Sequence, residues 1–328
     1  MESTTVELKK RGSFWIKVVA LGCVFFLLCY LLWPNGAPYQ KYEQYFSAEN
    51  ATPKQIADEL YTKGYLKNRL SYFTLLIQNE ILKGIKTGGY FLSASMNVAS
   101  IYDSLSHPEY KSITIAEGLR KEEIAQIYQK NLNWTDAETE TFAESRACYA
   151  DDSEGYLFPS TYYVAIDSKP EEVKEQMKKR FEETVGSPIG SKDQGILNLD
   201  TTITIASIIQ RESGGKKDMN LISGIIWNRI FDNMALDIDA TLQYAKGNDG
   251  KWWPKVKPED KYINSPYNTY QNKGLPPGAI SNPGLAAIDA ARNPEDTDCL
   301  FYLHDKNRKI HCSKTYEQHL AKIKIYLK

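Results

Sequence analysis

A glutamic acid at the end of an apolar helical stretch is the first pattern in this sequence that could carry chemistry. Within Thr201–Gly215, TTITIASIIQRESGG, the residues Ile205, Ile208, Ile209 and Glu212 have the spacing of one helix face. A helix that buries the isoleucines carries Glu212 toward the same apolar side, where desolvation raises the pKa of a carboxyl group. A glutamic acid that is still protonated near neutral pH can protonate a leaving glycosidic oxygen. The alternative is an edge glutamate paired with a neighbouring arginine or lysine.

The residues around this helix add a possible second acid. Ser213-Gly214-Gly215 predicts the end of the helix, with glycine in the left-handed conformation common at helix C-termini. Asp237 and Asp239 lie some 25 residues beyond Glu212 and could supply the second carboxylate that an ordinary glycosidase requires.

Composition excludes several classes of protein. The chain has 328 residues, which allows two or three domains, and its net charge of −1 does not suggest nucleic acid binding, which favours a basic face. The four histidines lack H-x-H or H-E-x-x-H spacing, so no metal site and no cofactor are predicted. Cys299 and Cys312 could pair if they flank a hairpin, and the spacing leaves that open.

The N-terminal region predicts a membrane anchor. Residues 14–33 are apolar with few interruptions, which is long enough to span a hydrocarbon core. Lys9, Lys10 and Arg11 precede this segment, so residues 1–13 are expected in the cytoplasm and the rest of the chain outside it. A cleaved signal peptide is the alternative. Residues 34–50 are polar and are predicted to form a tether.

The remaining chain mixes helical and strand patterns without regular βαβ alternation, which predicts an α+β fold. Thr52-Pro53 is a strong helix start. A second helix is predicted over Ser71–Lys83, with Phe73, Leu76, Ile77 and Ile81 facing inward. Further helices are expected at 97–105, 121–132, 170–185, 218–231, 284–292 and 316–327, and strands at 88–92, 112–115, 161–166, 300–303 and 310–312.

Four segments together resemble the endolytic murein transglycosylases, the MltG or YceG-like family. These segments are EGYLFPSTYYV (154–164), IASIIQRES (205–213), ISGIIWNRIFDNMALDIDATLQYA (222–245) and SPYNTYQNKGLPPGAISNPGLAAIDAA (265–291). The resemblance runs from about Thr52 to the C-terminus. Its departures are Ser160 where the family often has Asp, Ala240 where Pro is usual, and Cys312 in place of an aromatic residue.

The resemblance implies an architecture and a location. A LysM-like subdomain would occupy residues 51–110, and a YceG-like catalytic domain would occupy 111–328. The chain would be a single-pass protein of the bacterial inner or plasma membrane, with its catalytic domain outside the cytoplasm. Its partners would be peptidoglycan glycan strands, the membrane and peptidoglycan synthases.

The resemblance also implies an activity and a set of site residues. The family cleaves the MurNAc–GlcNAc β-1,4 bond within nascent glycan strands and leaves a 1,6-anhydro-MurNAc end. Glu212 matches the catalytic glutamate, which acts as acid and then as base. Residues in the matching segments are predicted to bind substrate: Glu154, Tyr156, Asn228, Arg229, Asp239, Tyr267, Asn268 and Tyr270. Asn228 and Arg229 could instead cap a helix and form a salt bridge, and Asp239 could be structural.

Two other functions remain open at this level. A catalytically idle member of the family would bind glycan and serve as a scaffold for cell-wall synthesis proteins. A true muramidase would use water in place of the C6 hydroxyl and would release a reducing end. The retained Glu212 and the SPYNTY segment at 265–270 favour the transglycosylase.

Overall fold

The structure, a computed structural model, describes residues 40–144, 153–186, 198–248 and 250–327, together with five residues between 19 and 26. The predicted cytoplasmic tail and most of the predicted membrane-spanning segment, 14–33, lie outside the described residues. Among the residues that are described, no helix combines the length and the apolar character needed to cross a membrane.

The described chain is built from eleven α-helices, a 3-10 turn and six strands. The strands are β1 (Glu43–Phe46), β2 (Gly89–Leu92), β3 (Tyr110–Thr114), β4 (Thr161–Ala165), β5 (Phe301–His304) and β6 (Ile310–Ser313). The helices are α1 (Pro53–Thr62), α2 (Arg69–Leu82), α3 (Val98–Ser106), α4 (Lys121–Leu132), α5 (Asp136–Ala143), α6 (Pro170–Val185), α7 (Leu199–Glu212), α8 (Met219–Phe231), α9 (Asp239–Lys246), α10 (Leu285–Arg292) and α11 (Tyr316–Tyr326). The predicted α+β class is confirmed.

These elements form two compact units. The first takes in the described chain up to Ser112 and Tyr163–Ile166, and the second takes in Ile113–Tyr162 and Asp167–Lys328. The strands make a four-stranded sheet in the order β1-β2-β3-β4 and a separate β5-β6 hairpin. The predicted boundary between a LysM-like subdomain and a catalytic domain stays a prediction.

The first unit contains a strand where the sequence predicts a tether. β1 lies within residues 34–50 and pairs antiparallel with β2, placing Tyr45 opposite Tyr90. Both tyrosines are buried in the core of this unit. The sequence does not predict this strand because it is only four residues long and carries polar residues next to Tyr45, its one buried residue. The helix start at Thr52 is confirmed as a capping box, in which Thr52 and Gln55 accept each other's backbone N–H.

The predicted inward face of α2 is wrong for three of its four residues, since only Leu76 packs against the core of this unit. Phe73, Ile77 and Ile81 are exposed, and the buried positions of this helix are Ser71, Thr74 and Leu75. The helix is apolar on more than one side, so the spacing of its large side chains does not identify the face that packs. The small Ser71 and Thr74 allow close approach to the neighbouring helices, which a pattern of large apolar residues does not reveal.

The second unit is organised around α7. This helix lies against α8, α9 and α10, and it buries Ile205, Ile208 and Ile209 as predicted. Asn198 caps its start by accepting the Thr201 N–H at 2.8 Å. The helix ends at Glu212, so this residue stands at the edge of an apolar core.

The C-terminal hairpin is closed by a disulfide. β5 and β6 pair antiparallel with Tyr302 opposite Cys312, and Cys312 is bonded to Cys299 with a Cα–Cα distance of 5.8 Å. The pairing that the sequence left open is therefore present. Because Cys299 immediately precedes the arm that contains Tyr302, the disulfide helps to hold that arm in register.

Candidate active site

Glu212 occupies a polar niche at the C-terminal end of α7. The Tyr302 hydroxyl donates a hydrogen bond to Glu212 Oε2 at 2.7 Å, and the Ala240 N–H at the start of α9 also donates to the carboxyl group.

Arg211, the basic residue next to Glu212, contacts other groups. It donates to the Gly118 carbonyl at 3.3 Å, and its guanidinium lies 3.6 Å from the centre of the Trp253 ring. The structure therefore favours an acid built into a site over an acid paired with its helix neighbour.

The environment of Glu212 favours its protonated form. Burial raises the pKa of this carboxyl group, and the Asp239 carboxylate raises it further by charge repulsion. The hydrogen bonds from Tyr302 and Ala240 act in the opposite direction because they stabilise the carboxylate. Such a group is biased toward the acid form and also has donors that stabilise its conjugate base.

Asp239 is the second carboxylate of this cluster. It is the first residue of α9, and its Oδ1 accepts a hydrogen bond from the Tyr270 hydroxyl at 2.7 Å. Its neighbour in sequence, Asp237, instead approaches Arg229 at 3.4 Å and adopts a left-handed backbone conformation with φ 51°. The structure thus brings Asp239 and Tyr270 to Glu212 and directs Asp237 to a different partner.

Tyr302, His304 and Asp218 belong to this cluster, although none of them is predicted as a site residue from the sequence. Tyr302 and His304 are two residues apart on β5 and point to the same face of the hairpin. The His304 Nε2 lies 2.7 Å from Asp218 Oδ2, and Asp218 accepts the N–H groups of Gly214 and Gly215. The alternation of two polar rings in a short strand was the one signal available for finding them.

Gly214 serves close packing, and neither Gly214 nor Gly215 supplies a left-handed cap. Ser213 is extended, and neither Gly214 nor Gly215 has a positive φ, which corrects the predicted helix end. A Cβ atom on Gly214 would lie 2.7 Å from the Arg308 carbonyl oxygen and 2.9 Å from His304 Cδ2. Glycine at position 214 therefore allows the C-terminal hairpin to approach the end of α7.

The side chains of Asn228 and Arg229 donate hydrogen bonds to backbone carbonyl oxygens. Asn228 Nδ2 donates to Thr297 at 2.7 Å and to Cys299 at 3.1 Å. Arg229 Nε donates to Leu300 at 2.6 Å, while its Nη1 donates to Ala235 at 3.1 Å and Leu236 at 2.7 Å. These contacts hold the chain leading to Tyr302 and the loop leading to Asp239. They support a positioning role, and the predicted contact of these two side chains with glycan stays a prediction.

Replacing Arg229 with Lys is expected to lower the free energy of unfolding by about 1–3 kcal/mol, because one ammonium cannot reach three separated carbonyl groups. We also expect kcat to fall more than KM rises, since the displaced segments carry Tyr302 and Asp239. Urea unfolding and steady-state kinetics measure both effects, with the exposed Arg180→Lys on α6 as the control. Unchanged stability with a raised KM would instead indicate direct glycan contact.

Glu154 is buried and lies in a structural network. Glu154 is 2% exposed. Its carboxyl group accepts hydrogen bonds from the Asn282 side-chain N–H at 2.7 Å and from the Lys121 backbone N–H at 3.3 Å. The Asn282 Oδ1 accepts the N–H groups of Gly155 and Leu157. Burial raises the pKa of Glu154 to about 8. The predicted substrate contact finds no support here, because the carboxyl group is enclosed by protein.

Tyr156 lies at the other end of α7. Its hydroxyl donates to Asp200 in the first turn of that helix, and its ring packs edge-on against Phe181. Asp200 and Glu212 are separated by about 18 Å along the helix axis at 1.5 Å per residue. The structure therefore does not bring Tyr156 to Glu212.

The SPYNTY segment is divided between buried and accessible residues. Asn268 is fully buried and its Nδ2 donates to the carbonyl oxygens of Lys261 and Ile263, so it shapes the loop. Tyr267 is partly exposed and its ring lies 4.8 Å from that of Tyr244. Of the predicted contacts in this segment, Tyr270 is the one that the structure places beside Asp239.

Replacing Tyr302 with Phe is expected to raise the pKa of Glu212, because the lost hydrogen bond stabilised the carboxylate against burial. The alkaline limb of the rate profile should move to higher pH, and the maximal rate should fall about 10–100-fold for the loss of one hydrogen bond to a charged group. Initial rates of glycan release across pH test this, with Tyr316→Phe at an exposed position as the control. An unchanged profile would contradict the assigned contact.

Within the described residues, no group of three or more His, Cys, Asp or Glu side chains is arranged to hold a metal ion. The cluster around Glu212 consists of carboxyl groups, phenols and one imidazole. These groups can donate and accept protons, so the cluster is suited to general acid–base catalysis by side chains.

Comparison with known proteins places this site in a family. The sequence model of the YceG-like family matches residues 48–325, which is most of the chain. The chain belongs to the YceG-like family. The match includes every residue of the Glu212 cluster and every residue predicted to bind substrate.

Two bacterial proteins with a functional name are similar to this YceG-like chain. It is 29% identical over 271 residues to a Bacillus subtilis (strain 168) protein named endolytic murein transglycosylase, covering 75% of this chain and 74% of that protein. It is 27% identical to a protein of the same name from Streptococcus pneumoniae (strain R6), covering 88% of this chain. The alignment spans 59% of the length of that pneumococcal relative.

A crystal structure of a yceG-like protein from Listeria monocytogenes is also similar to this YceG-like chain. The two share 26% sequence identity and a TM-score of 0.59, over 86% of this chain and 99% of the other. The fold described above is therefore the fold of a structurally characterised relative.

Proposed function

We propose that this YceG-like protein is an endolytic peptidoglycan lytic transglycosylase that uses Glu212 as its acid and base. The observation that carries the proposal is the setting of Glu212, whose pKa is raised by burial and whose carboxyl group receives hydrogen bonds from Tyr302 and Ala240. The relatives named endolytic murein transglycosylase support the same reaction.

In the first step, protonated Glu212 donates its proton to the glycosidic oxygen between MurNAc and GlcNAc. The C1–O bond then breaks, the GlcNAc side leaves as an alcohol, and positive charge develops at C1 and the ring oxygen of MurNAc. The raised pKa of Glu212 increases the fraction of the enzyme that holds this proton at a given pH.

In the second step, the Glu212 carboxylate accepts the proton of the MurNAc C6 hydroxyl as that oxygen bonds to C1. This closes the 1,6-anhydro ring and returns Glu212 to its acid form, so that protons balance and no water is consumed. The Tyr302 hydroxyl and the Ala240 N–H stabilise the carboxylate between the two steps. One carboxyl group is sufficient for this chemistry.

Asp239 is assigned an orienting role in this mechanism. Its carboxylate is held by the Tyr270 hydroxyl and raises the pKa of Glu212 by its charge. Tyr267 and Tyr270 are partly exposed rings on the same loop, and they can stack on sugar faces or donate to sugar hydroxyls. Asp239 is also the residue that would activate water if the enzyme were a muramidase.

The apolar segment 14–33 and the basic residues before it support a single-pass anchor in a bacterial inner or plasma membrane, with the active site outside the cytoplasm. In this arrangement residues 51–110 would form a LysM-like subdomain near the membrane. Glycan strands close to the bilayer would then be the substrate, and peptidoglycan synthases working there are the expected partners.

Mass spectrometry of the products tests this proposal. The full chain, reconstituted in nanodiscs, is incubated with purified peptidoglycan, and the soluble fragments are analysed. Internal fragments whose new MurNAc ends lack the mass of one water are expected. Reducing ends would make the protein a hydrolase, and retained glycan binding without any product would favour the scaffold.

A further inference from the structure

The helix α2 presents an apolar stripe that its own unit does not cover. Leu70, Phe73, Ile77 and Ile81 are 53%, 55%, 59% and 73% exposed, respectively. Their spacing of three, four and four residues places them along one face of the helix. Scattered exposed apolar residues are ordinary, but a continuous row of four large side chains on one helix indicates a surface that binds a protein or a membrane.

The fold of the first unit does not require this stripe. The opposite side of α2 packs through Ser71, Thr74 and Leu75, and Leu75 joins the core that contains residues of α1, α3, β1 and β2. Asn68 caps the start of the helix by accepting the Ser71 N–H at 2.9 Å. The exposed row is therefore an additional feature of a helix that is already anchored on its other side.

Basic residues flank the stripe at both ends. Lys63, Lys67 and Arg69 lie at or before the start of α2, and Lys83 and Lys86 follow its end. Glu80 is the one acidic residue between positions 63 and 86. A helix with a row of large apolar side chains and basic ends is suited to an anionic lipid surface, where the apolar side chains enter the headgroup region and the cations contact phosphates.

The length of the chain keeps this surface close to a membrane. The apolar segment 14–33 is followed by residues 34–42, and β1 begins at Glu43. Nine residues can span at most about 31 Å even when fully extended. A unit tied to a bilayer by so short a connection can reach the lipid surface with one of its faces, and α2 carries a continuous apolar row.

We propose that α2 docks on the surface of an anionic phospholipid bilayer through Leu70, Phe73, Ile77 and Ile81. This interaction rests on the proposed membrane anchor. It would give the first unit a fixed orientation on the membrane and add a second, reversible attachment to the anchor.

Site-specific fluorescence with lipid-borne quenchers tests this docking. The full chain with Cys23, Cys29 and Cys148 replaced by Ser is labelled with the environment-sensitive dye NBD at Ile77→Cys, or at Asp103→Cys on α3 as the matched control. Asp103 is exposed and acidic, so contact with an anionic surface is unfavourable there. Each protein is placed in nanodiscs of phosphatidylcholine with or without phosphatidylglycerol, and doxyl-labelled lipid is included as the quencher.

The expected result is blue-shifted emission at position 77 that doxyl lipid quenches, strongest with phosphatidylglycerol, and little quenching at position 103. Arg69→Gln should lower the ratio of docked to free helix about five-fold, the factor for one basic side chain near an anionic surface. A blue shift at position 77 without lipid quenching would overturn the proposal in favour of a second copy of the chain. Unshifted emission would overturn it outright.

The same experiment separates this inference from the ones on which it rests. A chain that fails to co-elute with the nanodiscs would overturn the anchor, and the docking with it. Co-elution without quenching at position 77 would overturn the docking alone. The reaction of Glu212 is measured separately through product mass, so neither outcome alters the catalytic proposal.

Discussion

Replacing Glu212 with Gln is expected to reduce glycan cleavage by about 10²–10⁴-fold, the usual contribution of a general acid–base group. The amide keeps the size of the side chain and can still interact with Tyr302 and the Ala240 N–H, so the fold and glycan binding should persist. The loss should appear in kcat because the missing proton is needed only in the reaction steps. Release of soluble fragments from labelled peptidoglycan measures this effect.

Asp239→Asn is the matched control for this experiment. It removes a neighbouring carboxylate whose assigned role is to orient and to raise the pKa of Glu212, so a much smaller loss of activity is expected. A Glu212→Gln variant that keeps its activity, beside an inactive Asp239→Asn, would contradict the assignment. It would move the catalytic role to Asp239.

Replacing Glu154 with Gln is expected to stabilise the protein at alkaline pH. Burial raises the folded pKa of this carboxyl group to about 8 from its usual 4.5. Between these two values the folded state holds a proton that the unfolded state has lost, so stability falls as pH rises, with a slope of up to about 1.4 kcal/mol per pH unit. The amide of the Glu154→Gln variant does not titrate, so this part of the slope should disappear.

The difference in unfolding free energy between the two proteins should therefore be small below about pH 4.5, grow with pH, and level off above about pH 8. Urea unfolding of the detergent-solubilised chain at several pH values, followed by tryptophan fluorescence, measures this difference. Glu175→Gln at an exposed position of α6 is the control and should show no comparable trend. A difference that is constant with pH would contradict the buried, protonated state of Glu154.

The helix that carries Glu212 was predictable because the apolar pattern that defines it lies within the helix itself. Ile205, Ile208 and Ile209 repeat at helix spacing, and this spacing alone orients Glu212 toward the core. The residues that complete the cluster were not predictable in this way. Tyr302 contacts Glu212 from 90 positions further along the chain, and that contact depends on how the hairpin packs beside Gly214.

The buried and exposed states of polar and apolar residues were the hardest features to predict. Glu154 stands in a motif that resembles a binding segment, yet its carboxyl group is satisfied internally by Asn282 and Lys121. Phe73 and Ile77 have the types and spacing of core residues, yet they lie on the surface of α2. In both cases, whether the side chain is buried depends on the residues that pack over it. For Glu154 these residues are distant in sequence, and for Phe73 and Ile77 they are missing from the same unit, so the local pattern reveals neither.

Cleavage in H₂¹⁸O distinguishes a lytic transglycosylase from a hydrolase at the new MurNAc end. A lytic transglycosylase closes this end with its own C6 oxygen, so we expect anhydro ends without ¹⁸O, and their absence in the Glu212→Gln digest. Reducing ends that carry one ¹⁸O would contradict the proposed mechanism, because water would then have replaced the C6 hydroxyl as the nucleophile.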